Sequence, residues 1–199
     1  ARQKGILCTV KDIFNHPTIA ALALVTKTQE ENLSLKPSQE LVNGYIPLTP
    51  IQHWFFEQNL VNKNHYNQAL LLQIDQNINL SLLHQAFETL LSHHDILRCR
   101  YTYQKDTKLW QQYNLSQDNL ASIWTPLDLS SISGTDLPSH IEKLSTLLQQ
   151  SLDIEKGPLI KIGLFDCGKQ KPMRLLIAIH HLVVDGVSWR ILLEDLEQA

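Results

Sequence analysis

Two adjacent histidines are the strongest candidates for chemistry in this 199-residue chain. They open the segment HHLVVDGVSW at residues 180–189, which follows an apolar run at 175–179. Imidazole is the side chain best suited to proton transfer near neutral pH. Asp185 is expected to hold a turn through a charge-assisted hydrogen bond, and Gly186 is expected to let the chain turn sharply.

The flanking pattern predicts different roles for the two histidines. An apolar run, a short polar segment and an amphipathic stretch indicate a strand, a tight turn and a helix. Neighbouring side chains on a strand point to opposite faces, so of His180 and His181 one should face the interior and the other a cleft. No third ligand follows at a familiar spacing, so we expect no metal site. From residue types alone, a packing or surface role for the pair stays open.

Strands mixed with helices predict an α/β or α+β layered fold. Helical spacing covers 79–94, 141–152 and the stretch from 187 onward, and strand-like patterns cover 66–74, 97–103, 109–113, 159–165 and 173–180. A Thr-x-x-Gln capping box predicts a further helix that begins at Pro50. Its apolar residues are expected to share one face: Ile51, Trp54 and Phe55.

Composition excludes several classes of protein. The chain is 43% hydrophobic and 19% charged with a formal net charge of −3, an ordinary globular balance with no basic field for nucleic acid. Its apolar runs are too short to span a membrane, and no signal peptide opens the chain. Cys8, Cys99 and Cys167 are far apart without a C-x-x-C, which favours the reducing cytoplasm over a disulfide scaffold. The missing initial Met and the end in mid-helix at Ala199 suggest a piece of a longer protein.

Arg98 poses a question that its own sequence leaves open. It lies in HHDILR at 93–98, in a predicted strand where it points away from Leu97 and Cys99. An exposed arginine there would contribute little to stability. A buried one would need an acidic partner, because an unpaired buried charge is very costly. His93 and His94 lie at a predicted helix end and receive no catalytic role.

Four of these segments resemble a known family. Residues 180–186 resemble the His-His-x-x-x-Asp-Gly signature of the condensation-domain superfamily of nonribosomal peptide synthetases, related in fold to chloramphenicol acetyltransferase, and 93–98 resemble its second motif. PIQHWF at 50–55 and VSWR at 187–190 resemble the epimerization branch specifically. The resemblance implies a chloramphenicol acetyltransferase-like lobe. It also implies a reaction, the L-to-D inversion of the α-carbon of a carrier-bound aminoacyl or peptidyl thioester.

The same resemblance assigns roles to residues. His181 is the implied base, while His180 and Asp185 are structural, with Asp185 paired to Arg98. Gly186 would leave room for a pantetheine arm. The opposing acid, a glutamate in this family, would belong to a second, C-terminal lobe beyond Ala199, so we expect the 199 residues alone to be inactive.

The resemblance also divides the chain. Residues 10–22 are similar to the last helices of a peptidyl carrier domain, which implies a carrier end at 1–27, a linker at 28–44 and the N-terminal lobe of an epimerization or condensation-type domain at 45–199. The implied cofactor is 4′-phosphopantetheine on the partner carrier, attached to a serine outside this chain. The implied partners are that upstream carrier and the C-terminal lobe, with no nucleic acid and no membrane. Two alternatives are a condensation domain that forms peptide bonds and a non-catalytic lobe that only docks carriers.

Overall fold

A computed structural model describes residues 6–28, 41–169 and 171–199, without the side chains of 27 and 28. The chain divides into two compact units, 1–40 and 41–199. The described elements of the first unit are strand β1 (Ile6–Leu7), helices α1 (Val10–Asn15) and α2 (Ile19–Val25), and strand β2 (Lys27–Thr28). Most of the predicted linker at 28–44 lies outside the described residues, so the linker stays a prediction.

The second unit contains the remaining elements. They are β3 (Gly44–Ile46), α3 (Pro50–Glu57), β4 (Asn67–Ile74), α4 (Leu80–His93), a 3-10 helix (Asp95–Arg98), β5 (Cys99–Gln104), β6 (Leu109–Asn114), α5 (Leu120–Ile123), β7 (Trp124–Asp128), α6 (Leu137–Gln150), β8 (Ile160–Asp166), β9 (Met173–His180) and α7 (Gly186–Gln198). Their mixture confirms the predicted α/β layered class. The sequence pattern did not predict the short elements β3, α5 and β7.

Strand β9 lies inside a four-stranded sheet of order β4-β9-β8-β7. It is antiparallel to both neighbours, and β7 runs parallel to β8. Strands β3, β6 and β5 form a separate antiparallel sheet, in which β5 and β6 pair as a hairpin. Because β9 has a partner on each side, its C-terminal end, which carries the histidine pair, is firmly placed.

Helices cover both faces of the four-stranded sheet. On β9, Leu175, Ile177 and Ile179 join the core that includes residues of α4 and α7. The alternate residues Leu176 and Ala178 join a second core, against which α6 packs. Full burial of a large apolar side chain stabilises a fold by roughly 1.5–3 kcal/mol, so this two-sided burial holds β9 in register.

Helix α3 buries a different face from the predicted one. Ile51 and Trp54 are 67% and 50% exposed, whereas Gln52 and Phe55 are buried. The Gln52 side chain accepts a hydrogen bond from the Thr49 backbone N–H at 2.9 Å and donates one to the Tyr101 hydroxyl at 2.9 Å. The predicted capping box is therefore confirmed. The Gln52 side chain of this box points inward, because its amide has a polar partner in the core, the Tyr101 hydroxyl.

None of the described helices is both long enough and apolar enough to cross a lipid bilayer.

Candidate active site at the end of strand β9

His180 is the interior member of the histidine pair. It is fully buried, and its Nε2 lies 2.8 Å from the carbonyl oxygen of Lys63, while its Nδ1 accepts the Leu182 backbone N–H at 3.2 Å. The Phe55 ring of α3 meets it edge to face. Burial lowers the pKa of His180 to about 4. His180 is therefore a neutral, buried imidazole with both nitrogens occupied, and it is the member of the pair that faces the interior.

His181 is the accessible member of the pair. Its ring is partly buried and stacks on Tyr66, with the ring centroids 5.1 Å apart and the planes 17° from parallel. Nδ1 lies 2.7 Å from the Val184 carbonyl oxygen, and Nε2 lies 3.2 Å from the side-chain nitrogen of Gln68. A carbonyl can only accept and an amide nitrogen can only donate, so these two contacts fit the tautomer with the proton on Nδ1 and the lone pair on Nε2.

Asp185 holds the turn that follows, as predicted. It is the exposed N-cap of α7, and its carboxylate accepts the Ser188 backbone N–H at 2.8 Å and the Ser188 hydroxyl at 2.7 Å. These bonds lower the pKa of the Asp185 carboxyl group. Asp185 thus sets where α7 begins.

The predicted ion pair between Arg98 and Asp185 is wrong. Arg98 is 1% exposed and pairs with Asp95, three residues earlier. Its guanidinium also donates to backbone carbonyls, namely those of Leu91, Ser92 (2.9 Å) and Leu115 (3.1 Å). The reason is local: residues 95–98 form a 3-10 helix rather than the start of a strand, which brings Asp95 next to Arg98 beneath the C-terminal end of α4.

Gly186 does not make a sharp turn through glycine's special backbone freedom. It is the first residue of α7 and does not adopt a positive φ, unlike Gly44, Gly157 and Gly168. A Cβ added at Gly186 would meet no atom within 4 Å. The surface above the start of α7 is therefore open.

Three residues that complete the site were not identified from the sequence. Tyr66 lies just before β4, Gln68 is the second residue of β4, and Trp189 comes from the first turn of α7. Trp189 donates its indole N–H to the Gln68 side-chain oxygen at 2.7 Å. The available signal was a glutamine near the start of a strand, opposite the end of β9. Trp189 also packs against the core that α7 covers.

Other polar clusters lie away from this site. His93, His94 and Asp195 could hold a metal ion, since one ligand atom from each lies within 4.8 Å of the others, although His94 and Asp195 already share a 2.8 Å hydrogen bond. A cavity of about 920 Å³ includes Arg98, and one of about 630 Å³ lies between α6 and the outer face of β4 and β9. His181 lines neither of these two cavities and lies at the partly exposed end of β9. The three cysteines are free, and burial raises the pKa of Cys99 to about 12, so this thiol is no nucleophile.

A family comparison matches residues 42–199 to the condensation domain. The chain belongs to the condensation-domain family. It is 43% identical to chondramide synthase cmdD of Chondromyces crocatus and 40% identical to bacitracin synthase 3 of Bacillus licheniformis, in each case over 98% of its own length. It spans only 5% and 3% of these two proteins. These relatives are nonribosomal peptide synthetases, and the region similar to this condensation-domain family member is a small part of each.

Solved structures support the family assignment and the predicted fold. The epimerization domain from the third module of tyrocidine synthetase B superposes with a TM-score of 0.73 at 39% identity, over 81% of this chain and 35% of that one. The first condensation domain of the calcium-dependent antibiotic synthetase superposes with a TM-score of 0.61 at 21% identity, over 78% of this chain and 36% of that one. The predicted chloramphenicol acetyltransferase-like architecture is confirmed.

Proposed function

We propose that residues 45–199 form the N-terminal lobe of an epimerization domain. In this proposal His181 removes the α-proton of a carrier-bound aminoacyl or peptidyl thioester during inversion from L to D. The observation that carries the proposal is the state of His181. Its Nε2 faces an amide donor at 3.2 Å, its Nδ1 faces a carbonyl oxygen at 2.7 Å, and the ring lies at the partly exposed end of β9. A general base needs these properties.

The step follows from this geometry. The Nε2 lone pair takes the α-proton, and the electrons of the C–H bond pass to the thioester carbonyl, which becomes an enolate. The imidazolium that forms still donates its Nδ1–H to the Val184 carbonyl, and this charge-assisted bond favours the protonated ring. An acid on the other face then returns a proton to carbon. Family resemblance assigns that role to a glutamate of the second lobe.

The carrier and its cofactor belong to the same proposal. The 4′-phosphopantetheine arm of the upstream carrier would bring the thioester to His181, and the open space above Gly186 fits the passage of such an arm. Residues 1–27 are proposed as the end of that carrier, and 28–44 as the linker. Because the chain spans 35% of the solved epimerization domain, we expect exchange only in the complete domain, in a cytoplasmic synthetase.

One finding favours a second candidate, the condensation reaction, because the matching family model is that of the condensation domain. In that reaction His181 would assist an amine nucleophile during peptide-bond formation. The identities favour epimerization: 39% with an epimerization domain, against 21% with the condensation domain compared above. The epimerization-type motifs at 50–55 and 187–190 agree with this preference.

The test uses the complete domain together with its loaded carrier in deuterated water. We expect wash-in of deuterium at the substrate α-carbon, and its loss in His181→Ala while thioester loading continues. His53→Ala, which removes an exposed histidine of α3, is the matched control and should keep normal exchange. Peptide-bond formation without α-proton exchange would move the assignment to condensation. Carrier binding with neither reaction would indicate a docking lobe, and normal wash-in by His181→Ala would remove His181 from the mechanism.

A further inference from the structure

We propose that Gln68 and Trp189 are positioning residues for His181. Together they form a directed hydrogen-bond chain that keeps the His181 Nε2 unprotonated and the ring in one orientation. The importance of this chain for exchange rests on the proposed function of His181. The hydrogen-bond chain itself does not depend on that function.

The hydrogen-bond chain joins β4 to the end of β9 and the start of α7, with Gln68 lying 113 residues before His181 and 121 before Trp189. The Trp189 indole nitrogen lies 2.7 Å from the Gln68 oxygen, the Gln68 nitrogen lies 3.2 Å from His181 Nε2, and His181 Nδ1 lies 2.7 Å from the Val184 carbonyl oxygen. Gln68 is on β4, where it pairs with Ile179 of β9. The His181 backbone N–H also donates to the carbonyl oxygen of Tyr66, just before β4, at 2.7 Å. The three side chains are each partly buried.

Each link of the chain can run in one direction only. An indole N–H donates and cannot accept, so the Gln68 oxygen must face Trp189 and the amide nitrogen must face His181. An amide nitrogen only donates, so His181 Nε2 must accept. A flipped Gln68 would place its NH₂ group against the indole N–H. The Trp189 donor, acting through Gln68, and the Val184 carbonyl therefore favour the same tautomer of His181, with the proton on Nδ1 and the lone pair on Nε2.

Two further contacts keep this geometry in place. Tyr66 stacks on one face of the His181 ring, and the Asp185 cap sets the start of α7 and hence the position of Trp189 one turn later. The Gln68 contact is the longest of the three hydrogen bonds, at 3.2 Å, and its weakness suits a lone pair that must become available to a substrate. The hydrogen-bond chain thus orients the His181 ring while its Nε2 is held by one long hydrogen bond.

Two conservative changes separate this role from packing. Trp189→Phe keeps an aromatic ring against the core but removes the donor that orients Gln68. Gln68→Glu keeps the shape but replaces the donating nitrogen with an accepting oxygen, which can be satisfied only by a proton on His181 Nε2. A purely structural pair would lose stability in these variants without any change in the His181 tautomer.

The first measurement is ¹⁵N NMR of histidine-labelled protein at about pH 8, above the ordinary imidazole pKa, with His181 assigned by comparison with His181→Ala. We expect a protonated Nδ1 and a bare Nε2 in the wild-type chain. Trp189→Phe should give a mixture of tautomers, and Gln68→Glu should place a second proton on Nε2 while the Val184 carbonyl retains the one on Nδ1. A wild-type His181 with its proton on Nε2, or variants with an unchanged tautomer, would overturn the hydrogen-bond chain whatever the enzyme does.

The second measurement is α-proton exchange by the complete domain. We expect both variants to lower the exchange rate by about 10- to 100-fold, the loss seen when a partner that orients a metal-bound histidine is removed. Thioester loading should be unchanged. A tautomer change without loss of exchange would overturn the positioning role. Full exchange by His181→Ala would instead refute the proposed function and leave the NMR result standing.

Discussion

His180 and His181 are adjacent in the chain but carry their ring protons on opposite nitrogens. His180 donates from Nε2 to the Lys63 carbonyl at 2.8 Å, whereas His181 donates from Nδ1 to the Val184 carbonyl at 2.7 Å. The second nitrogen of His180 is occupied by a backbone N–H, and that of His181 faces the Gln68 amide. One imidazole of the pair is therefore buried with both nitrogens occupied, and the other keeps a nitrogen whose only hydrogen-bond contact among the described residues is the longer one to Gln68.

The first prediction concerns stability at acidic pH. The pKa of His180 falls from an ordinary 6.5 to about 4 on burial, so between these values the unfolded chain binds a proton that the folded chain does not. The stability that neutral, buried His180 contributes is therefore fully present above pH 6.5 and is lost as the pH falls towards 4. The total loss should be about 3 kcal/mol of unfolding free energy. Urea unfolding at several pH values measures it.

A His180→Gln variant is the control, because glutamine can occupy the same polar contacts but does not titrate. Its unfolding free energy should change less than that of the wild type in this pH window. An NMR titration of wild-type His180, which should stay neutral at about pH 5, checks the cause directly. Parallel losses in both proteins would show that His180 is not responsible.

The second prediction concerns Arg98. Arg98→Met should reduce the free energy of unfolding by roughly 3–5 kcal/mol, because it strands Asp95 and backbone carbonyls without their donor. The matched control is Arg190→Met. Arg190 is 79% exposed and lies 3.4 Å from Glu194, so its loss should cost about 0.5 kcal/mol or less. Equal shifts of the two urea midpoints would contradict the buried role of Arg98.

The third prediction concerns Asp185. Asp185→Ala should lower the urea midpoint because Ser188 loses its acceptor, while Asp185→Asn should retain most of the stability because an amide oxygen can cap α7. The effects of Asp185→Ala and Arg98→Met should add, since the two side chains have separate partners. A strongly non-additive double variant would restore the ion pair that the structure excludes.

The fourth prediction concerns Gly186. Gly186→Ala should leave the urea midpoint unchanged or slightly higher, because its Cβ meets open space at an ordinary helical position. Gly157→Ala is the contrasting variant. Gly157 has φ +79, and a Cβ there would lie 2.0 Å from Cζ of Arg100, so the loss should exceed about 1 kcal/mol. Marked destabilisation by Gly186→Ala would show that the surface above α7 is closed.

Much of the fold could be predicted from the sequence, because periodicity and capping act over short distances. The extent of β9 was predicted from its apolar run, and the helix after Pro50 from its capping box. The same patterns failed where a tertiary contact outweighs local preference. Gln52 turns inward because Tyr101 offers it a partner, and the strand predicted from 97 is delayed by the 3-10 helix around Arg98.

The sequence by itself determined that a histidine pair ends a buried strand, that Asp185 holds the turn, and that the chain resembles one family. Only the tertiary structure decided which acid pairs with Arg98 and which nitrogen of His181 is free. Those outcomes depend on contacts between segments far apart in the chain, or on a local backbone form that side-chain alternation does not reveal. A hydrogen-bond direction is set by the partner, and the partners of His181 are known only once β4, β9 and α7 have come together.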